Sequence, residues 1–254
     1  MTLSSPVFRT RLASSAQDAA AAQHLRYRIF VQELGAHGAM IDHAAQTEAD
    51  PFDPFADHLL LEDTSQPGTP VVGVYRLMSA AQAADAGRFS AAAEFDLAPL
   101  QAAGRPLLEL GRSCLLPAYR GGPAMMHLFA ALAQIAADRG DAMLFGVASF
   151  HGTDAAALAQ PLAYLRQHHL APAHLRAQAT GPGAVPMPQT GPADRKAALR
   201  AIPPLIKAYL RLGGVVGEGA CIDAAFNTVD VCMILDPALM SAAQRARAAP
   251  ERMG

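Results

Sequence analysis

The chain has 254 residues, 52% of them hydrophobic, and a formal net charge of −2. That length carries a sizeable core in one domain, and the near balance of charge gives no global pull towards nucleic acid or an anionic membrane, so no nucleic-acid partner is expected. Cys114, Cys221 and Cys232 are odd in number, far apart and outside any Cys-x-x-Cys spacing; they fit neither a disulfide framework nor a metal site, which suits a reducing cytoplasm.

The N-terminus has no apolar core of leader type, and no run reaches the ~20 apolar residues of a membrane span, so any contact with the inner membrane is expected to be peripheral. Ser15-Ala-Gln-Asp18 opens a first helix, in which Tyr27, Phe30, Val31 and Leu34 recur at helical spacing until Gly35. Residues 36–56 show no periodicity and read as a long loop, functional or mobile. His58–Glu62 and Val71–Leu77 bracket the turn Ser65–Pro70 as a hairpin. A strand over 107–116 leads through Pro117 and the pair Gly121-Gly122 into an apolar helix over 123–138 and a strand over 142–149, a β-loop-α-β unit. A helix over 154–168 precedes a Pro/Gly-dense excursion at 173–195, expected to resist regular structure, with a lid as one role open to it. Helical pieces flank Pro203-Pro204, strands over 214–223 and 229–235 close the single domain at 237, and 238–254 is a tail.

Several side chains in this outline bear chemistry. Leu116-Pro-Ala-Tyr-Arg-Gly-Gly-Pro-Ala124 joins a strand to a helix, so free amides and the helix dipole face an anion, although a structural tight turn uses the same residues. Glu109 and Arg112 are three apart and face opposite sides of an ideal strand; both serve one site only if the strand bulges. The alternative for the two is a structural ion pair. Adjacent Asp57 and His58 also point to opposite faces, so Asp57 does not orient that imidazole, and His58 fits a core role as well as a catalytic one. Arg26, Arg76 and Arg112, against Asp50 and Asp53, form an acidic-basic cluster that either closes the long loop over a substrate or acts as scaffold. Lys196, Arg200, Lys207 and Arg211, with Arg120 and Arg139, offer a basic surface.

Pro117-x-Tyr119-Arg120-Gly121 resembles the start of the acyl-coenzyme A loop of the GNAT superfamily, but Gly122 comes early and Pro123-Ala124 break the usual glycine spacing. Ordered motifs resemble acyl-homoserine-lactone synthases: Arg26 with Phe30, Asp50-Pro-Phe-Asp53, Gly73-Val-Tyr-Arg76-Leu77 and Glu109-Leu-Gly-Arg112. Ala36 departs from their tryptophan. Asp57-His58-Leu, Leu110-Gly-Arg-Ser-Cys114, Ser149-Phe150, Pro204–Gly213 and Phe226-Asn-Thr-Val-Asp230 resemble bacterial ornithine N-acyltransferases over about residues 20–235.

This resemblance implies an α/β GNAT-like fold, with a central mixed, mostly antiparallel sheet flanked by helices. It also implies transfer of a 3-hydroxyacyl group from acyl carrier protein to the α-amine of ornithine, giving lyso-ornithine lipid. The donor is then an acyl-phosphopantetheine, and no tightly bound cofactor is expected. Glu109, His58 and Asp57 are the candidate bases, and Arg26, Arg76, Arg112, Asp50, Asp53 and Ser149 are placed on the substrate side. Cys114, Leu115, Leu116, Arg120, Gly121, Gly122, Ala124 and Lys207 are placed on the donor side. Ornithine's second ammonium requires a further acid, for which Glu218, Asp223 and Asp230 are available. Rival readings are a homoserine-lactone synthase, a coenzyme A-dependent acetyltransferase and a non-catalytic hemolysin-like lipid-associated protein.

Overall fold

The structure, a computed structural model, describes residues 5–241 and Gln244. Nine strands form one sheet: β1 (Phe8–Leu12), β2 (Asp57–Asp63), β3 (Val71–Ser79), β4 (Leu107–Leu115), β5 (Met143–His151), β6 (Ala184–Val185), β7 (Val215–Val216), β8 (Ala220–Asp223) and β9 (Thr228–Leu235). Their order is β1-β2-β3-β4-β5-β9-β8-β6, with β7 also on β9. Within this sheet β4 and β5 run parallel, paired through Leu107–Glu109 and Met143–Phe145, and the other pairs are antiparallel.

Side-chain period explains the layers. Leu59 and Leu61 of β2 face a core built with Leu128, Leu132, Leu165 and Ile206, whereas Leu60 faces Ala22 and Leu25. The helices are α1 (Ala16–Arg26), α2 (Ala80–Asp85), α3 (Ala98–Ala102), α4 (Ala124–Asp138), α5 (Ala159–His169), α6 (Arg195–Ala201) and α7 (Pro204–Arg211), and α1, α4, α5 and α7 supply those residues. α1 starts where its cap places it, with the Ser15 hydroxyl accepting from the Asp18 amide at 3.1 Å. It then continues as a π-helix over Tyr27–Glu33 until Gly35 turns at φ 77. No helix among the described residues is long and apolar enough to cross a membrane.

The fold also holds elements that periodicity does not reveal. Phe8-Arg-Thr-Arg-Leu12 has only two apolar residues, yet it forms the edge strand β1, where Arg9 and Arg11 each reach Glu62 at 2.8 Å. The long loop contains a two-stranded ribbon, Ile41–Asp42 with Thr47–Glu48. The Pro/Gly-dense stretch corrects the expectation of irregular chain: Gln178–Ala179 pairs with Phe95–Asp96, and β6 joins the edge of the main sheet. Glycine permits this close approach, since a Cβ at Gly183 would sit 2.6 Å from the Ile222 carbonyl oxygen. The expected tail, 238–254, starts inside a 3₁₀ turn, Pro237–Leu239, and most of the remainder lies outside the described residues.

Candidate active site

Strand β4 organises the site through a bulge. Val74 faces Cys114 and Arg76 faces Gly111, so Arg112 and Ser113 together oppose the single residue Tyr75. Arg112 adopts φ 49, the left-handed region that non-glycine residues rarely occupy. Glu109 and Arg112 are thereby tied into one connected network. Beyond Glu109 and Phe145 the two parallel strands are no longer paired. Gly146 lies at this divergence, where a Cβ would collide with the Leu110 carbonyl oxygen.

The network meets the requirement that buried charges be paired, although Arg26 Nε, Glu48 Oε2 and one Arg76 Nη complete no hydrogen bond of good geometry. Arg26 donates to both carboxylate oxygens of Asp53, at 2.8 and 2.6 Å, and its Nε lies 2.5 Å from Glu48. Arg76 lies 2.7 Å from Asp50, while Arg112 bonds Glu48 at 3.2 Å and pairs with Asp50. Burial pushes the Asp53 carboxyl up, but the Arg26 bond and charge outweigh it and hold it below the usual carboxylate range. Arg26 and Arg76 are 0% and 1% exposed, so neither offers a free face to solvent. Glu48 is the member that sequence reasoning missed. The spacing Glu48-x-Asp50 was its available signal.

Glu109 is 2% exposed, and its carboxylate accepts the amides of Ser90 and Ala91 at 3.0 and 2.6 Å. Ser90 Oγ accepts from Arg76 at 2.6 Å, which joins the segment 90–94 to the arginines. Asp57 and His58 stand on β2, two strands from β4. Asp57 takes Arg139 at 2.6 Å, on the far side from His58. His58 is buried among Asp53, Arg26 and Arg76, with Nε2 4.0 Å from Asp53 and no hydrogen bond completed at either ring nitrogen. Burial holds its imidazole below the ordinary histidine range, so it is neutral at pH 7.

On the expected donor side, a 3₁₀ turn over Pro117–Tyr119 precedes Gly121, which turns at φ 73 ahead of α4. Among the described residues the amides of Ala124 and Met125, in the first turn of α4, and of Gly121 and Gly122, just ahead of its cap Pro123, have no acceptor. Arg120 is gripped through two bonds by Glu33, at 2.5 and 2.8 Å, and its Nε donates to the Leu115 carbonyl. Leu116 donates to Val72, and burial pushes the Cys114 thiol up to about 12, which leaves it an inert core group. Lys207 caps the Arg200 carbonyl at the end of α6, at 3.1 Å.

A second charged cluster contains only acids. Glu94 ends the 3₁₀ turn Ser90–Ala93 that Glu109 anchors, Asp223 ends β8, and Asp230 lies in β9 opposite Ser149. One carboxylate oxygen from each lies within 4.8 Å of the others. Burial raises the Glu94 and Asp230 carboxyls first, and repulsion from neighbouring acids adds to it; the Ser149 and Thr228 hydroxyls pull Asp230 partly back. Asp223 also accepts the amides of Ala225 and Phe226, and the Phe226 ring lies 4.5 Å beneath the Arg112 guanidinium. Of the three acids available from the sequence, Glu218 is elsewhere, bonded to Arg166 at 2.9 Å.

Comparison with known proteins extends this geometry. Residues 25–130 match the acetyltransferase (GNAT) domain family. The chain is 53% identical to an L-ornithine N(alpha)-acyltransferase of Rhodobacter capsulatus, over 94% of this chain and 93% of that one. It is 41% identical to the enzyme of that name from Brucella abortus, over 89% and 83%. Among solved structures it is similar to FeeM, an N-acyl amino acid synthase from uncultured soil microbes, with TM-score 0.51 and 14% identity over 91% and 92% of the two chains. It is also similar to BjaI, a coenzyme A-dependent acyl-homoserine lactone synthase, with TM-score 0.52 and 14% identity over 96% and 92%. At that identity the likeness extends to the fold.

Proposed function

The chain belongs to the L-ornithine N(alpha)-acyltransferase family, and from that premise we propose that it moves a 3-hydroxyacyl group from acyl carrier protein to the α-amine of ornithine. In this reaction the neutral amine attacks the thioester carbonyl, a C–N bond forms, the C–S bond breaks, and the proton lost by the amine balances the departing thiolate. One geometric observation carries the reading for this chain: β4 and β5 part after Glu109 and Phe145, beside an α4 whose opening amides have no acceptor. A phosphodiester at those amides puts its pantetheine arm along the opening.

The residues divide by role. Arg26, Arg76, Asp50 and Asp53, closed from solvent, hold the loop 36–56 against β4. Arg112, with 21% of its side chain exposed, and exposed Ser149 are left to meet the substrate. Glu109 is a positioning residue, because its carboxylate fixes the turn that presents Glu94. The carrier-protein donor is supported by two features. Four amides suit one phosphodiester rather than a longer pyrophosphate cradle, and Lys196, Arg200 and Arg211 form no ion pair among the described residues, which leaves a basic surface for an acidic partner. The acyl chain has an apolar groove of about 280 Å³ against Phe129, Leu132, Tyr209 and Leu235. Release of an acylated product suits peripheral contact with the inner membrane.

The test is incubation of the purified protein with ornithine and either 3-hydroxyacyl carrier protein or the matching coenzyme A thioester, with product read by mass spectrometry. Product from the carrier protein is expected. Product from the coenzyme A thioester alone would overturn the donor assignment, and product from neither would overturn the whole reading.

A further inference from the structure

We propose that Glu94, Asp223 and Asp230 form the seat of the substrate's side-chain ammonium, so that a diamino acid is held by its far nitrogen while the α-nitrogen is left to react. This rests on the ornithine reading above and adds the residues that recognise the second amine. Two chain segments far apart in sequence converge here, the 3₁₀ turn that ends at Glu94 and the β8–β9 hairpin that carries Asp223 and Asp230, with one carboxylate oxygen from each acid within 4.8 Å of the others. Among the described residues the three acids have no ion-pair partner. The cation that acts on Glu94 is Arg112, which is itself committed to Glu48 and Asp50.

A second observation points to an absent donor. Asp230 is 3% exposed and its Oδ1 completes no hydrogen bond, nor does the buried Oε2 of Glu94. The Ser149 and Thr228 hydroxyls and Glu94 all act on the Asp230 carboxyl at hydrogen-bonding range, yet the Thr228 hydroxyl, 8% exposed, and Asp230 Oδ1 complete no bond of good geometry. Buried acceptors without donors are costly, and the carboxyls answer by holding protons above their usual range. An ammonium brings three donors and one positive charge to these acceptors, and ornithine supplies one at the end of a flexible aliphatic chain. Access exists at Ser149, exposed on β5 directly across from Asp230.

The experiment compares ornithine with norvaline, which has the same carbon chain without the terminal amine. It uses the wild type, Glu94→Gln and Asp230→Asn, reading both turnover and calorimetric binding. The wild type is expected to prefer ornithine strongly. Each variant should raise the KM and Kd for ornithine by roughly 30-fold or more while leaving the norvaline values unchanged. Both substitutions are near-isosteric and remove like-charge repulsion, and a melting curve for each checks that the fold is intact. Retained preference for ornithine would overturn the proposal, as would a parallel loss for both substrates in a folded variant. Calorimetric binding of Mg²⁺, Ca²⁺ or Mn²⁺ alone, lost in the variants and required for turnover, would overturn it in favour of a metal site. If the wild type makes no acyl-ornithine with any donor, the parent reading fails and calorimetry decides alone: acid-dependent ornithine binding sustains the seat, and binding indifferent to both substitutions removes it.

Discussion

The lattice around Arg26 and the cluster around Asp230 each gather three carboxylates beside the same bulged strand, but they treat those charges differently. In the first, Glu48, Asp50 and Asp53 are matched by Arg26, Arg76 and Arg112 at hydrogen-bonding distances, and the two inner arginines are sealed from solvent. In the second, Glu94, Asp223 and Asp230 crowd together without a cation, and the opening at Ser149 leaves a way in. A matched cluster has its charges balanced without a ligand, which is why we propose it as scaffold. An unmatched one carries an excess of negative charge, which the proposed substrate ammonium would offset. Arg112 stands between them, paired with the first and lowering Glu94 of the second through its charge.

Breaking the matched cluster should have the largest effect. Arg26→Met leaves Asp53 buried without its arginine and Glu48 with Arg112 alone, and urea unfolding should show a loss of about 3–5 kcal/mol. Arg112→Gln removes an outer partner that keeps some exposure, and the same measurement should show a smaller loss, about 1–2 kcal/mol. The unmatched cluster should respond with the opposite sign. Glu94 holds its proton above the usual carboxylate range in the folded chain, so its contribution is fully present below pH 4.5 and is lost as pH rises through the raised folded value. Glu94→Gln should therefore stabilise relative to wild type, by on the order of 2 kcal/mol, increasingly from about pH 5 to about pH 9. A difference that stays flat with pH would place Glu94 among matched charges.

His58 gives the smallest shift and sharpens the contrast from within the scaffold. Its folded value lies below 6.5 because burial disfavours the charged ring, so its contribution is present above pH 6.5 and lost as pH falls towards the folded value. His58→Asn should flatten the acid side of the stability profile by about 1 kcal/mol while turnover persists. Loss of turnover in a folded His58→Asn protein would return the imidazole to the chemistry.

Much of the scaffold was legible because its members sit at fixed spacings on identifiable elements. Arg26 lies on a capped helix, Asp50 and Asp53 lie in one loop, and Arg76 and Arg112 lie on strands, so their meeting followed from ordered motifs. The bulge was readable only as a requirement: Glu109 and Arg112 at three apart needed one, and tertiary pairing with β3 supplies it. The acid cluster was half legible. Asp223 and Asp230 lie on adjacent antiparallel strands, but Glu94 comes from the Ala-rich stretch 80–106, where short turns leave no periodicity and the partners lie more than a hundred residues away. The Pro/Gly-dense segment misled for a related reason. Composition speaks for local preference, whereas β6 forms because Gly183 permits the approach to β8.

Tandem mass spectrometry of the product made from ornithine and 3-hydroxyacyl carrier protein locates the new amide. An acyl group on the α-nitrogen, with the side-chain amine free, is the predicted result. Acylation of the side-chain nitrogen would contradict both the reaction and the seat that holds that nitrogen away from the thioester.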